Sequence, residues 1–173
     1  MSDSCNIRSV VLSDLPTIFA WRNHISVRQF MFTQHEISLT EHEAWFHEAN
    51  QDNTSRLMVV EEKKQPIGYV QFSKVSIDGV ADWGFYTAPN SPKGTGRRLG
   101  VTALSYAFNV LRLHKVCGQA LEKNNVSICF HQNLGFKQEG VLREQQFIDG
   151  IHHNIHCFGL IAREWALIKA NLE

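Results

Sequence analysis

The chain has 173 residues, 43% of them hydrophobic, and its 17 Lys and Arg balance 17 Asp and Glu to give a formal net charge of zero. This length and apolar content indicate a single globular domain over residues 1–173 and exclude a disordered or fibrous chain. The neutral balance gives no general attraction to nucleic acid or to an anionic membrane surface.

The first half of the chain predicts a strand, two helices and a three-stranded meander. Residues 6–11 form the predicted first strand, and Ser13-Asp-Leu-Pro then opens a helix that runs through Trp21-Arg22-Asn23. A capping box at Thr40-Glu-His-Glu begins a second helix that ends near Asn50. The predicted meander strands are 57–61, 67–75 and 81–87, with a polar connection at 61–65 and a turn at Asp78-Gly79.

The second half adds a long amphipathic helix over 96–113, a strand at 115–121 and a short helix at 124–134. Two strands joined by Asp149-Gly150 and a helix starting near Arg163 complete the chain. The order β-α-α-β-β-β-α-β-α-β-β-α predicts a mixed α/β (α+β) sheet with a right-handed crossover in the middle. Ligands of such sheets lie at the carboxyl ends of the strands beside the crossover, here 85–87 and 121–124.

A basic glycine loop, Pro89-Asn-Ser-Pro-Lys-Gly-Thr-Gly-Arg-Arg-Leu99, connects a predicted strand to the long helix. Gly94 and Gly96 allow close approach of an anion, and the helix offers unpaired N–H groups and the positive end of its dipole. The spacing fits neither a P-loop, which needs Gly-Lys-Ser/Thr, nor a dinucleotide fingerprint, which needs a third glycine in step. The loop is therefore interpreted as a pyrophosphate site of another kind, with plain turn glycines at a helix start as the alternative.

The order of elements, the loop Ser91-Pro-Lys-Gly-Thr-Gly96 and the segment Asn124-Asn-Val-Ser-Ile-Cys-Phe-His-Gln-Asn-Leu-Gly-Phe136 together resemble the GCN5-related N-acetyltransferases (GNAT). The resemblance covers nearly the whole chain. It implies a mainly antiparallel mixed sheet of six to seven strands, flanked by helices and splayed at its centre, and an acetyl-CoA-dependent acetyltransferase.

The resemblance also assigns the acetyl-CoA site. The pantetheine arm is expected along the strand before the loop and beside a helix-capping asparagine, and the pyrophosphate is expected on the loop. The implied residues are Phe85, Tyr86, Thr87, Lys93, Gly94, Thr95, Gly96, Arg97, Arg98, Asn124 and Ser127. Ser91 and Pro92 replace the glutamine or arginine that usually begins the loop, and Asn124 is equally explained as a simple N-cap.

In many family members a tyrosine protonates the departing coenzyme A thiolate, and His131 occupies that position here. Histidine can donate a proton near neutral pH, although a partly exposed helix histidine is the plain alternative. The resemblance implies direct attack by the acceptor amine, with a backbone N–H near Phe85 or Tyr86 holding the oxyanion. Glu122, or a water relay through Asp82, is expected to accept the amine proton, unless both are ordinary surface carboxylates.

The N-terminal helices carry an aromatic and basic pattern that suits a sugar nucleotide. The pattern resembles the acetyltransferases of pseudaminic acid synthesis, which modify the 4-amino group of a UDP-linked 4-amino-4,6-dideoxy-N-acetylaltrosamine, a precursor for flagellin glycosylation. The expected acceptor residues are Trp21, Arg22, Asn23, His24, Arg28, Met31, Phe32, Trp45 and Phe46. Core packing of two amphipathic helices explains some of these equally well.

Two other functions remain open. Acetyltransferases of ribosomal-protein N-termini, polyamines or aminoglycosides share the Trp-Arg-Asn opening, but their cationic substrates favour acidic grooves. The few carboxylates before residue 50 are mixed with Arg22 and Arg28. A coenzyme A-binding module without turnover would be favoured if residues 85–87 did not form an open splay or if His131 faced away from the thiol.

No metal site is expected. In His152-His-Asn-Ile-His-Cys157 the histidines four residues apart along a strand lie about 13 Å from each other, too far to bind one ion. The four cysteines form no C-x-x-C pair, which predicts free thiols in a reducing cell. The sequence lacks a signal core and a long apolar run, so we expect a cytoplasmic protein without membrane partners. The resemblance adds the expectation of a homodimer paired through C-terminal edge strands.

Overall fold

The computed structural model describes residues 5–76 and 78–172, and within them seven strands form one sheet in the order β1-β2-β3-β4-β5-β7-β6. The strands are β1 (Asn6–Ser9), β2 (Arg56–Glu62), β3 (Gln65–Ser73), β4 (Val80–Thr87), β5 (Lys115–Leu121), β6 (Lys137–Ile148) and β7 (Ile151–Ile161). The helices are α1 (Leu15–Asn23), α2 (Ile25–Arg28), α3 (Leu39–Gln51), α4 (Thr95–Asn109), α5 (Asn125–Asn133) and α6 (Ala162–Ile168). The predicted mixed, mainly antiparallel fold is confirmed.

The sheet opens between β4 and β5, which are its parallel pair. Their register covers three steps, from Val80↔Lys115 to Asp82↔Cys117. Beyond Asp82, β4 stays paired with β3 as far as Thr87, while β5 stays paired with β7 as far as Leu121. The two strands therefore diverge into a wedge, the splay, whose inner edge on β4 lacks a neighbouring strand.

Helix α4 crosses from β4 to β5 and packs on the sheet. Its buried face includes Leu99, Ala103, Leu104 and Ala107, which join the main hydrophobic core. The helix ends at Asn109, four residues before the predicted end, and Arg112 takes a positive φ of 57° in the connection to β5. A left-handed residue cannot continue an α-helix, which explains the earlier end.

Two helix starts differ from the prediction. Helix α3 is capped by Ser38, not Thr40: its hydroxyl accepts from Glu41 N–H, and the Glu41 carboxylate accepts from Ser38 N–H at 2.7 Å. Helix α1 follows a short 3₁₀ turn, and Asp14 before it makes no side-chain cap. The Asp14 carboxylate instead accepts bonds from Val11 N–H and from the Arg8 guanidinium.

Candidate functional site

Three cavities meet at the splay. The loop cavity, about 510 Å³, lies between the end of β4, the glycine loop and α5. The central cavity, about 350 Å³, lies between β4 and β5, and the aromatic cavity, about 380 Å³, lies between β4 and α3. Met31 and Phe85 line all three cavities. A ligand bound in the loop cavity and a second molecule bound in the central or the aromatic cavity would therefore meet beside Phe85.

The glycine loop closes the outer end of this cleft. Gly94 caps α4 with a φ of 92°, a left-handed conformation that suits glycine. A rim cavity beyond it is lined by Lys93, Gly94, Gly96 and Arg97 from the loop together with residues of α5. Between them, the loop and rim cavities are lined by all the predicted cofactor residues except Arg98.

The two arginines of the loop are bound by the protein itself. Arg98 forms an ion pair with Glu62 on β2, with 2.7 Å between Nε and Oε1. Arg97 donates to the backbone carbonyls of Asn171 and Leu172. Arg98 lines neither the loop cavity nor the rim cavity, and its contact with a pyrophosphate stays a prediction. Lys93 lines the rim cavity and has no hydrogen-bond partner among the described residues.

The backbone of β4 offers a donor at the centre of the cleft. Ala88 N–H donates to Ile67 on β3 at 2.8 Å. Successive N–H groups along a strand point to opposite edges, so Tyr86 N–H also faces β3 whereas Phe85 N–H faces the open splay. Of the two candidates for the oxyanion donor, this alternation favours Phe85.

Two polar residues at the start of α5, Asn124 and Ser127, lie where the loop cavity and the central cavity meet. Asn124 caps the helix, with its Oδ1 accepting from Ser127 N–H at 3.0 Å. Both residues line the loop cavity and the central cavity. The Asn124 amide nitrogen is left to donate toward a ligand, so the capping role and the predicted ligand-binding role are compatible.

His131 does not line any of the cavities, and it occupies neither of the two positions expected for it, a proton donor facing the cleft or a partly exposed helix histidine. It is 1% exposed, its Nδ1 lies 2.7 Å from the Ser127 carbonyl, and its Nε2 accepts from Trp83 Nε1 at 3.1 Å. This pattern fixes the neutral tautomer with the proton on Nδ1. Burial lowers the pKa of His131 to about 4, so the ring is a neutral imidazole at neutral pH, and its Nδ1 proton is held by the Ser127 carbonyl.

Glu122, the predicted base, lines neither the central cavity nor the aromatic cavity. Its carboxylate is bound by His153 Nδ1 at 3.2 Å and by Asn154 Nδ2 at 2.9 Å. A hydrogen bond from the Asn154 backbone is the main cause of a lowered pKa, which makes Glu122 a weaker base. Asp82, the other predicted carboxylate, does line the central cavity and is paired with Lys74 at 2.8 Å.

The aromatic cavity is walled by Trp45, Tyr69 and Tyr86. The ring centroids of Trp45 and Tyr69 are 6.0 Å apart, and those of Tyr69 and Tyr86 are 5.2 Å apart. Burial lowers the pKa of the Arg22 guanidinium in this wall, and the nearby Arg28 contributes to the lowering. These rings and the cation are suited to a ligand with an apolar body and an anionic group.

Arg22 and Arg28 both carry unused donors. Arg22 Nη2 donates to the Thr33 carbonyl at 2.7 Å, but its Nη1 is buried without a partner. Arg28 Nε is likewise buried and unpaired. Among the described residues no carboxylate lies within ion-pair distance of either guanidinium. Two neighbouring cations with buried, unused donors favour an anion between or beside them.

Several predicted acceptor residues make structural contacts. Asn23 exchanges side-chain hydrogen bonds with the Ile37 backbone, which fastens the end of α1 to the segment before α3. His24 caps α2, and Phe46 packs against a buried cluster that includes Ile18, Val59 and Tyr69. Trp21 lines neither the central nor the aromatic cavity. Met31 lines both, Phe32 lines the central cavity and Trp45 lines the aromatic cavity.

Sequence reasoning missed several residues of these cavities, among them four polar residues of the aromatic cavity. Tyr69 and Gln71 lie on β3 and are joined by a hydrogen bond of 3.1 Å. His35 and Glu41 form an exposed ion pair at 2.9 Å on the rim of the aromatic cavity. The alternation of β3 could have indicated that residues 69 and 71 share a face, but not which face the cleft occupies.

Within the described ranges, no group of three or more His, Cys, Asp or Glu side chains is arranged to bind a metal ion. Also within those ranges, none of the helices has the length and apolar character needed to cross a membrane. The four cysteines are free thiols.

Comparison with known proteins shows the family and finds relatives that include a spermidine acetyltransferase and PseH. Residues 5–137 match the family model described as an acetyltransferase (GNAT) domain. The chain is 29% identical over 158 residues to a spermidine N(1)-acetyltransferase of Vibrio cholerae, covering 90% of this chain and 91% of the relative. It is 28% identical over 131 residues to the acetyltransferase PseH of Campylobacter jejuni, covering 76% and 82%.

Solved structures agree with the family match. The crystal structure of spermidine N-acetyltransferase from Vibrio cholerae in complex with CoA and spermine superimposes with a TM-score of 0.86 at 26% identity. The match covers 94% of this chain and 98% of that one. The splayed sheet, the glycine loop and the cavities thus lie in a fold that binds CoA in a related enzyme.

Proposed function

The chain belongs to the acetyltransferase (GNAT) family and is an acetyl-CoA-dependent N-acetyltransferase, and from that premise we propose that it acetylates the 4-amino group of a UDP-linked 4-amino-4,6-dideoxy sugar. Such a transfer belongs to pseudaminic acid synthesis, which supplies the sugar for flagellin glycosylation. One observation carries the proposal: the half-buried Arg22 in the aromatic cavity has an unpaired donor and no carboxylate partner among the described residues.

The charges of the acceptor side support an anionic acceptor. Two carboxylates line the central and aromatic cavities, and each is already paired: Asp82 with Lys74, and Glu41 with His35. A polyamine carries several positive charges and needs free carboxylates. Placing it beside the partly desolvated Arg22 would add repulsion in a low-dielectric site.

A sugar nucleotide suits the same surfaces. The diphosphate would accept a bond from Arg22 Nη1 in the wall of the aromatic cavity, relieving a buried unsatisfied donor. The deoxy-sugar methyl and the base would pack on Met31 and on the rings of Trp45, Tyr69 and Tyr86. The 4-amino group would then reach the thioester beside Phe85, where the cavities meet.

The proposed chemistry is direct transfer. The neutral amine nitrogen attacks the thioester carbonyl, a C–N bond forms, and Phe85 N–H stabilises the oxyanion. The C–S bond then breaks and its electron pair leaves with sulfur as the coenzyme A thiolate. The proton lost by the nitrogen passes through water to Asp82, the carboxylate that lines the central cavity.

A polyamine is the second candidate, and the comparisons with known proteins favour it. The spermidine acetyltransferase of Vibrio cholerae matches a larger share of this chain than PseH does, at nearly the same identity. The superimposed structure of the Vibrio enzyme contains spermine. We place the nucleotide sugar first because the side chains of the cavity select the acceptor. The charged side chain without an ion-pair partner there is Arg22, which favours an anionic acceptor.

The test is binding of UDP measured by calorimetry, with saturating coenzyme A present. Wild-type protein should bind UDP, and Arg22→Gln should weaken binding about tenfold, as expected for the loss of a charge-assisted bond. Arg163→Gln, at an exposed position of α6, is the matched control and should bind UDP as the wild type does. Spermidine binding with no UDP binding would overturn the proposal in favour of the polyamine.

A further inference from the structure

A narrow passage, the neck, joins the aromatic cavity to the central cavity. Among the described residues, those that line both cavities are Met31, Gln71, Gly84 and Phe85. Met31 and Phe85 are apolar and Gly84 has no side chain, so the polar side chain at the neck belongs to Gln71. An acceptor that extends from the aromatic cavity to the thioester beside Phe85 therefore passes the Gln71 amide.

The Tyr69 hydroxyl fixes which end of this amide faces the neck. Tyr69 is 4% exposed, and its hydroxyl donates to Gln71 Oε1 at 3.1 Å. Burial, with a smaller effect of Tyr86, raises the pKa of the Tyr69 phenol, so the proton stays on the oxygen and is donated. Turning the amide over would leave this buried proton without an acceptor among the described residues. The carbonyl end of Gln71 is therefore turned to Tyr69.

The other end of the amide is an unused donor at the neck. Gln71 Nε2 carries two N–H groups, and among the described residues the hydrogen bond of this side chain is the one with Tyr69. A hydroxyl or carbonyl oxygen of a ligand would satisfy such a donor. A methylene group or an ammonium ion would displace its water and leave it unpaired.

Gly84 leaves space for a bulky group beside that donor. Gln71 and Gly84 are direct partners in the register of β3 and β4, so they lie on the same face of the sheet. A Cβ added at Gly84 would meet no heavy atom within 4 Å. The neck is therefore wide enough on this side for a substituted ring next to Gln71.

We propose that Gln71 selects the acceptor by donating from Nε2 to an oxygen that the acceptor carries near its reacting amine, either a hydroxyl or an acetamido carbonyl. This role rests on the proposed sugar-nucleotide function. Arg22 lines the aromatic cavity and Gln71 lies at the neck, so the two side chains hold different parts of one acceptor. A polyamine has only methylene groups and amines to place there. Gln71 is thus a specificity-determining residue, and Tyr69 is a positioning residue.

Two substitutions separate the donor from the rest of the side chain. Gln71→Glu keeps an oxygen that accepts from Tyr69 but replaces the two N–H groups with a carboxylate oxygen, and Gln71→Leu removes both. For the UDP-linked 4-amino sugar, kcat/KM should fall about tenfold in Gln71→Leu and further in Gln71→Glu, with the KM for acetyl-CoA unchanged. For spermidine, Gln71→Glu should raise kcat/KM, because the new carboxylate attracts a cation. Gln138→Leu, at an exposed position of β6 that lines none of the four cavities, should match the wild type with both acceptors.

Acceptor analogues show whether the loss in Gln71→Leu comes from a missing contact. One analogue lacks the 3-hydroxyl of the sugar, and the other carries hydrogen in place of the 2-acetamido group. Gln71→Leu should cost nothing further with the analogue that lacks the bonded oxygen, because one partner of the contact is already absent. That analogue identifies the oxygen. An equal loss with the full substrate and with both analogues would show a general structural effect and would overturn the proposal.

The same kinetics distinguish the role of Gln71 from the proposed function. If the wild type acetylates the sugar nucleotide and neither Gln71 variant differs from it, the role of Gln71 is wrong and the function stands. If the wild type acetylates spermidine and not the sugar nucleotide, the function is wrong and the selection of an oxygen by Gln71 falls with it.

Discussion

Trp83 Nε1 on β4 donates to His131 Nε2 on α5 across 3.1 Å, and this buried bond ties the two walls of the cofactor cleft together. The rings sit edge to face with centroids 5.7 Å apart. Trp83 is two residues before Phe85, the proposed oxyanion donor, and His131 is one turn after Ser127. The Trp83–His131 bond thus fixes the end of β4 that carries Phe85 against the helix α5 that carries Ser127.

Gly118 on β5 leaves the space that this bond requires. A Cβ at position 118 would lie 2.3 Å from His131 Nε2 and 2.8 Å from Trp83 Nε1. We expect Gly118→Ala to lower the free energy of unfolding by about 1–3 kcal/mol and to lower kcat, because rigid rings must shift. Urea unfolding and steady-state kinetics measure the two effects. Gly140→Ala, in β6 with open space around it, should change neither.

His131 should make stability depend on pH. The folded protein holds the imidazole neutral with a pKa of about 4, whereas the unfolded chain binds a proton below about pH 6.5. The contribution of this group to the free energy of unfolding is therefore fully present above pH 6.5. It falls by up to about 3 kcal/mol as the pH is lowered toward 4. Urea unfolding at several pH values should show a smaller loss over this range in His131→Gln than in the wild type.

Gly94→Ala should weaken acetyl-CoA binding. The φ of 92° at Gly94 costs a residue with a side chain about 1–2 kcal/mol, and the loop would relax away from the shape that presents its N–H groups. The KM for acetyl-CoA should rise about tenfold. Gly150→Ala is a matched control, since its φ of 82° lies in the β6–β7 turn away from the cleft. If both variants raised the KM equally, the rise would result from general backbone strain and not from a changed shape of the glycine loop.

The two carboxylates near β5 should differ in their effect on catalysis. Asp82→Asn should lower kcat by about tenfold to a hundredfold, because Asp82 lines the central cavity. Glu122→Gln should leave kcat within about twofold, because its carboxylate is bound by His153 and Asn154 outside the cavities. A larger loss in Glu122→Gln than in Asp82→Asn would restore Glu122 as the base.

The sequence was most informative where a local rule decides the structure. The turn at Asp149-Gly150 follows from residues that accept positive φ, here 51° and 82°, and it joins β6 and β7 as predicted. The glycine loop likewise places a left-handed Gly94 before α4, as its composition indicates.

The candidate site was harder to predict because its side chains depend on distant partners. The burial of His131 results from Trp83, 48 residues earlier, and no local pattern contains that contact. Arg98 looks like a phosphate ligand in the sequence, but Glu62, 36 residues away, pairs with it. The cap of α3 is a smaller case, since Ser38 and Thr40 both precede a glutamate at capping spacing and only tertiary context selects Ser38.

The most direct test is the ratio of kcat/KM for the UDP-linked 4-amino-4,6-dideoxy-N-acetylaltrosamine to that for spermidine, with the acetylated product of each identified by mass spectrometry. We expect this ratio to be greater than about 10, so that the sugar nucleotide is the preferred substrate. A ratio of that size corresponds to a difference of about 1.4 kcal/mol in transition-state binding. In Arg22→Gln the ratio should fall, because only the anionic acceptor uses that guanidinium. A ratio that favours spermidine in the wild type would contradict the account and assign the enzyme to polyamines.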